Sequence, residues 1–211
     1  MSRRVAGWAA GAAAAVLVAA GGITYAVADS GDGTAAVKTP AADSADAGFA
    51  RDMAVHHQQA VEMSYIVRDR TKDEDVRRLA YDIAQTQANQ RGMLLGWLDL
   101  WGLPKVSADP PMTWMGMGGM VTPKDGSLMP GMATDTQLSK LRTLSGKQAE
   151  VFYLQLMTNH HKGGIHMAEG CVAKCTVGVE KRLAQGMVDA QQSELQVMAG
   201  MLKERGAEPL S

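Results

Sequence analysis

The sequence predicts an all-α protein: an antiparallel four-helix bundle built from two duplicated helical hairpins joined by a long Met/Gly/Pro-rich crossover. Three observations predict it. The stretch Met53-Ala54-Val55-His56-His57-Gln58-Gln59-Ala60-Val61-Glu62-Met63 returns as Met157-Thr158-Asn159-His160-His161-Lys162-Gly163-Gly164-Ile165-His166-Met167, displaced by 104 residues. The match continues downstream without a gap, with Arg78-Leu79-Ala80 meeting Arg182-Leu183-Ala184, Gln87 meeting Gln191 and Gly102 meeting Gly206. So long a register marks an internal duplication. Apolar residues recur at three- and four-residue steps within each half, the period of a helix. Between the halves, residues 103–133 hold prolines at 104, 110, 111, 123 and 130 among glycines, which forbids a long helix.

The chain starts with Arg3-Arg4 and an apolar, Ala-rich run from Val5 to Ala28. A positive end before such a run reads as an export signal, and Ala26-Val27-Ala28 has the small-x-small form of a cleavage site. The run is also long enough to span a bilayer, so an uncleaved membrane anchor over residues 1–28 is the second reading. Both place the protein outside the cytoplasm, secreted or held at the membrane. The whole chain has 21 basic and 22 acidic residues; without Arg3 and Arg4 the balance is 19 to 22. That leaves no electrostatic basis for a nucleic-acid partner. Residues 29–46 are small and polar, as suits a flexible tether.

Helix 1 is expected over 47–70. Thr71-x-x-Glu74 has the form of a capping box, so helix 2 follows over 72–101 with a stripe of Val76, Leu79, Ile83, Leu94, Trp97 and Trp101. Gly102-Leu103-Pro104 ends it. After the Met-rich loop, Thr134-x-x-Gln137 announces a short helix at 135–144. Ser145-x-x-Gln148 announces helix 3 at 146–174, and Thr176 is expected to cap helix 4 at 177–205, closed by Gly206.

Met53, His56, Ala60, Met63 and Val67 share one helical face, and Met157, His160, Gly164, Met167 and Cys171 share the equivalent one. His57 and His161 lie ~100° further round, at the edge of that face. Gln87 and Gln90 interrupt the stripe of helix 2, and Gln191 and Glu194 that of helix 4. Antiparallel packing puts these groups in one layer. Such a layer either satisfies itself with hydrogen bonds and only sets helix register, or holds a metal. The candidate ligands are His56, His57, His160, His161, Met53, Met63, Met157, Met167 and Glu194. His166 falls on the bundle surface.

Di-iron bundles use about four carboxylates, whereas this layer offers only Glu194. Imidazole with thioether suits copper, as Cu(I) or Cu(II). Met112, Met115, Met117, Met120, Met129 and Met132 in the crossover could wrap a soft ion or simply pack over the bundle. Cys171 and Cys175, the only cysteines, form a disulfide in an oxidising compartment or otherwise a thiolate pair.

The motifs Phe49-x3-Met53-x2-His56-His57-x2-Ala60-x2-Met63, their copy from Tyr153 to Met167, Leu79-Ala80, Gln191-x2-Glu194 and Pro130-Gly131-Met132 resemble domain-of-unknown-function family 305. The resemblance covers about residues 49–204. It implies a ferritin-like four-helix fold, export, and copper binding by the paired histidines with their neighbouring methionines. One departure is that Gln-x2-Glu on helix 4 reads Gln87-x2-Gln90 on helix 2. Three functions follow: copper sequestration or homeostasis, a ferritin-like metal-dependent oxidase or peroxidase, and a membrane-tethered structural or interaction module with a metal-free polar layer.

Overall fold

The computed structural model describes residues 39–119 and 124–210. The N-terminal run, residues 29–38 of the tether and Met120 of the methionine run lie outside them. Within the described residues the secondary structure is all-helical: α1 (Ala45–Arg68), α2 (Glu74–Leu100), a one-turn 3-10 helix at Thr113–Met115, α3 (Asp135–Thr143), α4 (Gly146–Lys174) and α5 (Gly178–Glu204). The short turns after α1 and α4 fold α1 onto α2 and α4 onto α5, and α1 packs across to α4. Among the described residues, no helix is long and apolar enough to cross a membrane.

The core comes in two apolar clusters. One contains Met53 with Met167, together with Phe49, Leu94, Leu98 and Cys171. The other contains Met63 with Met157, together with Val67, Ile83, Tyr153 and Leu154. Residue numbers thus run in opposite directions along α1 and α4, and the histidines lie between the two clusters.

Helix starts are where local reading and structure part. The structure starts α1 at Ala45, because the Ser44 hydroxyl accepts the Ala47 N–H at 3.2 Å. Thr71 is not the cap of α2: Asp73 is, its carboxylate accepting the Val76 N–H at 2.9 Å, while Thr71 donates to Glu150 across the bundle. Ser145 makes no side-chain cap; instead the Gly146 N–H donates to the Arg70 carbonyl at 2.7 Å. Thr176 does not cap α5 either. Asp46 of α1 accepts the Thr176 and Val177 N–H groups at 2.8 and 2.7 Å. In each case a residue distant in the chain takes part: Glu150 accepts from the Thr71 hydroxyl, Arg70 from the start of α4, and Asp46 from the residues before α5. Only α3 keeps a full capping box, between Thr134 and Gln137.

The crossover is docked along α1 and α4. Asp52 accepts the Met112 N–H and the Trp114 indole N–H, and the Trp114 ring meets Phe49 edge-on at 5.8 Å. Met112 and Met129 are buried, and Met115, Met117 and Met132 pack against the Met53/Met167 cluster. Further on, the Gln59 amide grips Ala133 with two bonds, to its carbonyl at 2.9 Å and from its N–H at 2.7 Å. Opposite Gln59, α4 presents Gly163, where an added Cβ would lie 2.0 Å from the Pro130 carbonyl oxygen. At Gly131, with φ +81°, an added Cβ would lie 2.4 Å from the Asn159 carbonyl oxygen.

A methyl group at Gly163 must therefore push the crossover off α4. Gly163→Ala is expected to destabilise by about 1–3 kcal/mol, the usual cost of overpacking. Gly92→Ala on α2, where a Cβ meets nothing within 4 Å, should be neutral or mildly stabilising through helix propensity. Urea unfolding midpoints of the two variants check the contrast.

Candidate metal centre

All four paired histidines are 0 % exposed, as are Met53, Met63, Met157 and Met167. His57 and His161, expected at the edge of the inner face, are as buried as His56 and His160. The reason is that α2 and α5 cover them with Gln90 and Glu194. His166 is exposed.

Each imidazole spends its Nε2 on an oxygen. His57 Nε2–H donates to Gln90 Oε1 at 2.9 Å, and its duplicate, His161, donates to Glu194 Oε2 at 2.6 Å. His160 Nε2–H donates to the His56 carbonyl at 3.0 Å, and His56 Nε2–H to the Pro130 carbonyl at 3.3 Å. Carbonyl and carboxylate oxygens only accept, so all four Nε2 atoms carry the proton. In a neutral ring the lone pair then resides on Nδ1. All four Nδ1 atoms are buried without a hydrogen-bond partner. Gln87, through both amide atoms, and Gln191, through Oε1, add further unpartnered polar atoms. A layer built only to satisfy itself would not leave these groups bare.

Three of the rings, His56, His57 and His160, are also held neutral. Burial pushes His56 down to about 4 and His57 to about 3, the latter helped by the neighbouring His56. His160 is lowered well below the ordinary range by burial and then by the other three histidines. Imidazoles that stay unprotonated near neutral pH are the form that binds metals.

The His56 and His160 rings lie 3.8 Å apart, centre to centre, tilted by 33°, and His161 is 6.4 Å from His160. The histidines do not form a closed three-nitrogen cage. Among the described residues, the one group of three Cys, His, Asp or Glu ligand atoms within 4.8 Å of one another is Cys171, Cys175 and Glu180. Of the residues expected at the site, His56 and His160 meet ring to ring across the two halves, with one methionine of each half in each flanking cluster. Glu194 is 24 % exposed and faces the Nε2 side of His161. Its carboxylate therefore orients the His161 ring. The Pro130 and His56 carbonyls were not foreseen, since backbone partners leave no residue-type signal; the paired glycines at 163 and 164 were the one available hint.

The family model of the domain of unknown function DUF305 matches residues 46–202. The chain belongs to the DUF305 family. It is similar to a DUF305 protein from Streptomyces coelicolor, named as a candidate secreted protein, at 74% identity and a TM-score of 0.76, covering 81% of this chain and 99% of that one. A DUF305 fragment from Deinococcus radiodurans matches at 29% identity and a TM-score of 0.62, over 76% and 96% of the two chains. CopM in its Cu(I)-bound form shares the fold at 18% identity and a TM-score of 0.58, over 75% and 96%; CopM is also known in Cu(II)- and Ag-bound forms. No curated protein matches the chain.

The histidine burial in this DUF305 chain has a pH signature. His56, His57 and His160 are neutral when folded and titrate near 6.5 when unfolded, so the unfolded state binds more protons below that pH. Stability is then lost as pH falls through 6.5 towards 4. Glu180, pushed up to about 9 by burial and the Asp46 charge, works in the opposite sense but with one proton against three. The metal-free protein should show a urea midpoint that declines steadily between pH 6.5 and 5, above the range of ordinary carboxylates. A flat midpoint there would contradict neutral buried rings.

Proposed function

We propose that this protein is an exported copper-binding protein that sequesters the ion, or hands it on, through the histidine–methionine layer. The observation that carries the reading is the set of four buried, unpartnered Nδ1 atoms, each ring held by a bond at its other nitrogen. Hydrogen bonding of the second nitrogen to a carbonyl or carboxylate is how proteins orient histidine ligands. His56, His57, His160 and His161 would supply nitrogen. Met53 and Met167 on one side, and Met63 and Met157 on the other, would supply the thioethers that suit Cu(I). CopM, which shares the fold and is solved with Cu(I), Cu(II) and Ag, supports the choice of metal.

Binding without turnover is favoured by the enclosure of all four rings. An oxidase reading lacks support from the layer's one carboxylate, because Glu194 is already engaged by His161. Export is supported by the apolar N-terminal run, by the disulfide described below, and by the secreted character ascribed to the Streptomyces relative.

Purified chain titrated with Cu(I) against a chromogenic chelator should bind it, and the double variant His56→Ala/His160→Ala should lose most of that binding. Unchanged stoichiometry in the variant would end the proposal. Glu194→Ala, which frees the His161 ring, is expected to weaken copper affinity about 10–100-fold, the usual effect of removing a ligand's orienting partner. Glu194→Gln should cost less, because the duplicate His57 is held by Gln90 in that way; competition titration of both variants gives the ranking.

A further inference from the structure

At the far end of α4, about 16 Å along the helix from His160, a second cluster of ligand atoms remains outside the histidine layer. Cys171 and Cys175 form a disulfide across the helix end, where Cys175 leaves helical geometry at ψ 149°. Glu180, in the first turn of α5, is fully buried beside them. Its carboxyl oxygen and the two Sγ atoms lie within 4.8 Å of one another. Both carboxyl oxygens are buried without a hydrogen-bond partner. The Asp46 carboxylate, which accepts from Thr176 and Val177, also lies against Glu180 and, after burial, helps to keep its carboxyl protonated. A carboxyl group enclosed next to two sulfurs and a second carboxylate is costly to bury in its charged form.

We propose that reduction of the Cys171–Cys175 disulfide opens a second metal site, made of two thiolates and the Glu180 carboxylate, for a borderline divalent cation of the zinc class. The donor set of thiolate sulfur and carboxylate oxygen fits such an ion. An external dithiol breaks the S–S bond by exchange: the two sulfurs take up two electrons and two protons, and the reductant leaves as its own disulfide. The cation then replaces the protons of both thiols and of Glu180, which pass to solvent. With the bridge closed the sulfurs are not thiolates and the site does not bind. The site is independent of the copper reading, since none of its three ligands belongs to the histidine layer.

The test reduces the full chain with a water-soluble phosphine and titrates it with Cd(II), following thiolate-to-metal absorption in the ultraviolet and helicity by far-UV circular dichroism. The expected result is a band that saturates at one ion per chain, absent from the oxidised protein and from Cys171→Ser/Cys175→Ser. Glu180→Gln should weaken binding by more than about tenfold, the loss that an outer contact alone can bring, and His56→Ala/His160→Ala should leave the band in place. Absence of the band in reduced, helical protein would overturn the proposal. So would an unchanged affinity in Glu180→Gln, or loss of the band in the histidine variant. Should reduction cost helical signal, Cd(II) must restore it in the wild-type chain; failure to do so also counts against the site.

Discussion

The architecture turns on what happens at one nitrogen of each buried imidazole. Four imidazoles enclosed between methionine clusters would be costly if both nitrogens lacked partners. Spending Nε2 on an oxygen in every case removes half of that cost and fixes the tautomer. It also determines which atoms remain bare, since the unpartnered nitrogen is Nδ1 in all four rings. Helix packing, the choice of polar residues on α2 and α5, and the path of the crossover all serve those bonds.

Duplication explains half of this scheme. Gln90 and Glu194 occupy equivalent places and hold equivalent rings, His57 and His161. The inner pair breaks the symmetry. His160 reaches the His56 carbonyl, whereas His56 reaches Pro130 in the crossover. The connection between hairpins is thus a working part of the layer. Its close approach depends on Gly131 and Gly163, and on the Gln59 amide that holds the next turn of chain. At equivalent positions of the two halves, then, a glutamine grips the crossover and a glycine makes room for it.

The ends of the bundle are tied in a different way. Asp46 of α1 holds the start of α5, Arg70 accepts from the start of α4, and Thr71 and Arg205 both bond to Glu150. The ties made by Asp46, Arg70 and Thr71 join one hairpin to the other, and the Arg205–Glu150 tie closes α5 onto α4. Cys171 and Cys175 staple the same end that Asp46 caps. Glu180 is enclosed there, and that enclosure is what makes its unpartnered oxygens notable.

Fold class and the main helices were legible from sequence because helical periodicity and the duplicated register are local properties of the chain. Burial of His56 and His160 was legible too, since they share a face with Met53, Met63, Met157 and Met167. The equal burial of His57 and His161 was not, because it depends on side chains from the neighbouring helix. Helix caps at Thr71, Ser145 and Thr176 misled for the same reason: competing partners lie far away in the chain and close in space. By itself the sequence determined a repeated helical bundle with imidazole pairs at its centre. Only the tertiary structure decided which ring nitrogen is bare, since backbone carbonyls such as those of Pro130 and His56 have no residue identity to read and acquire a role only when packing brings them to a ring.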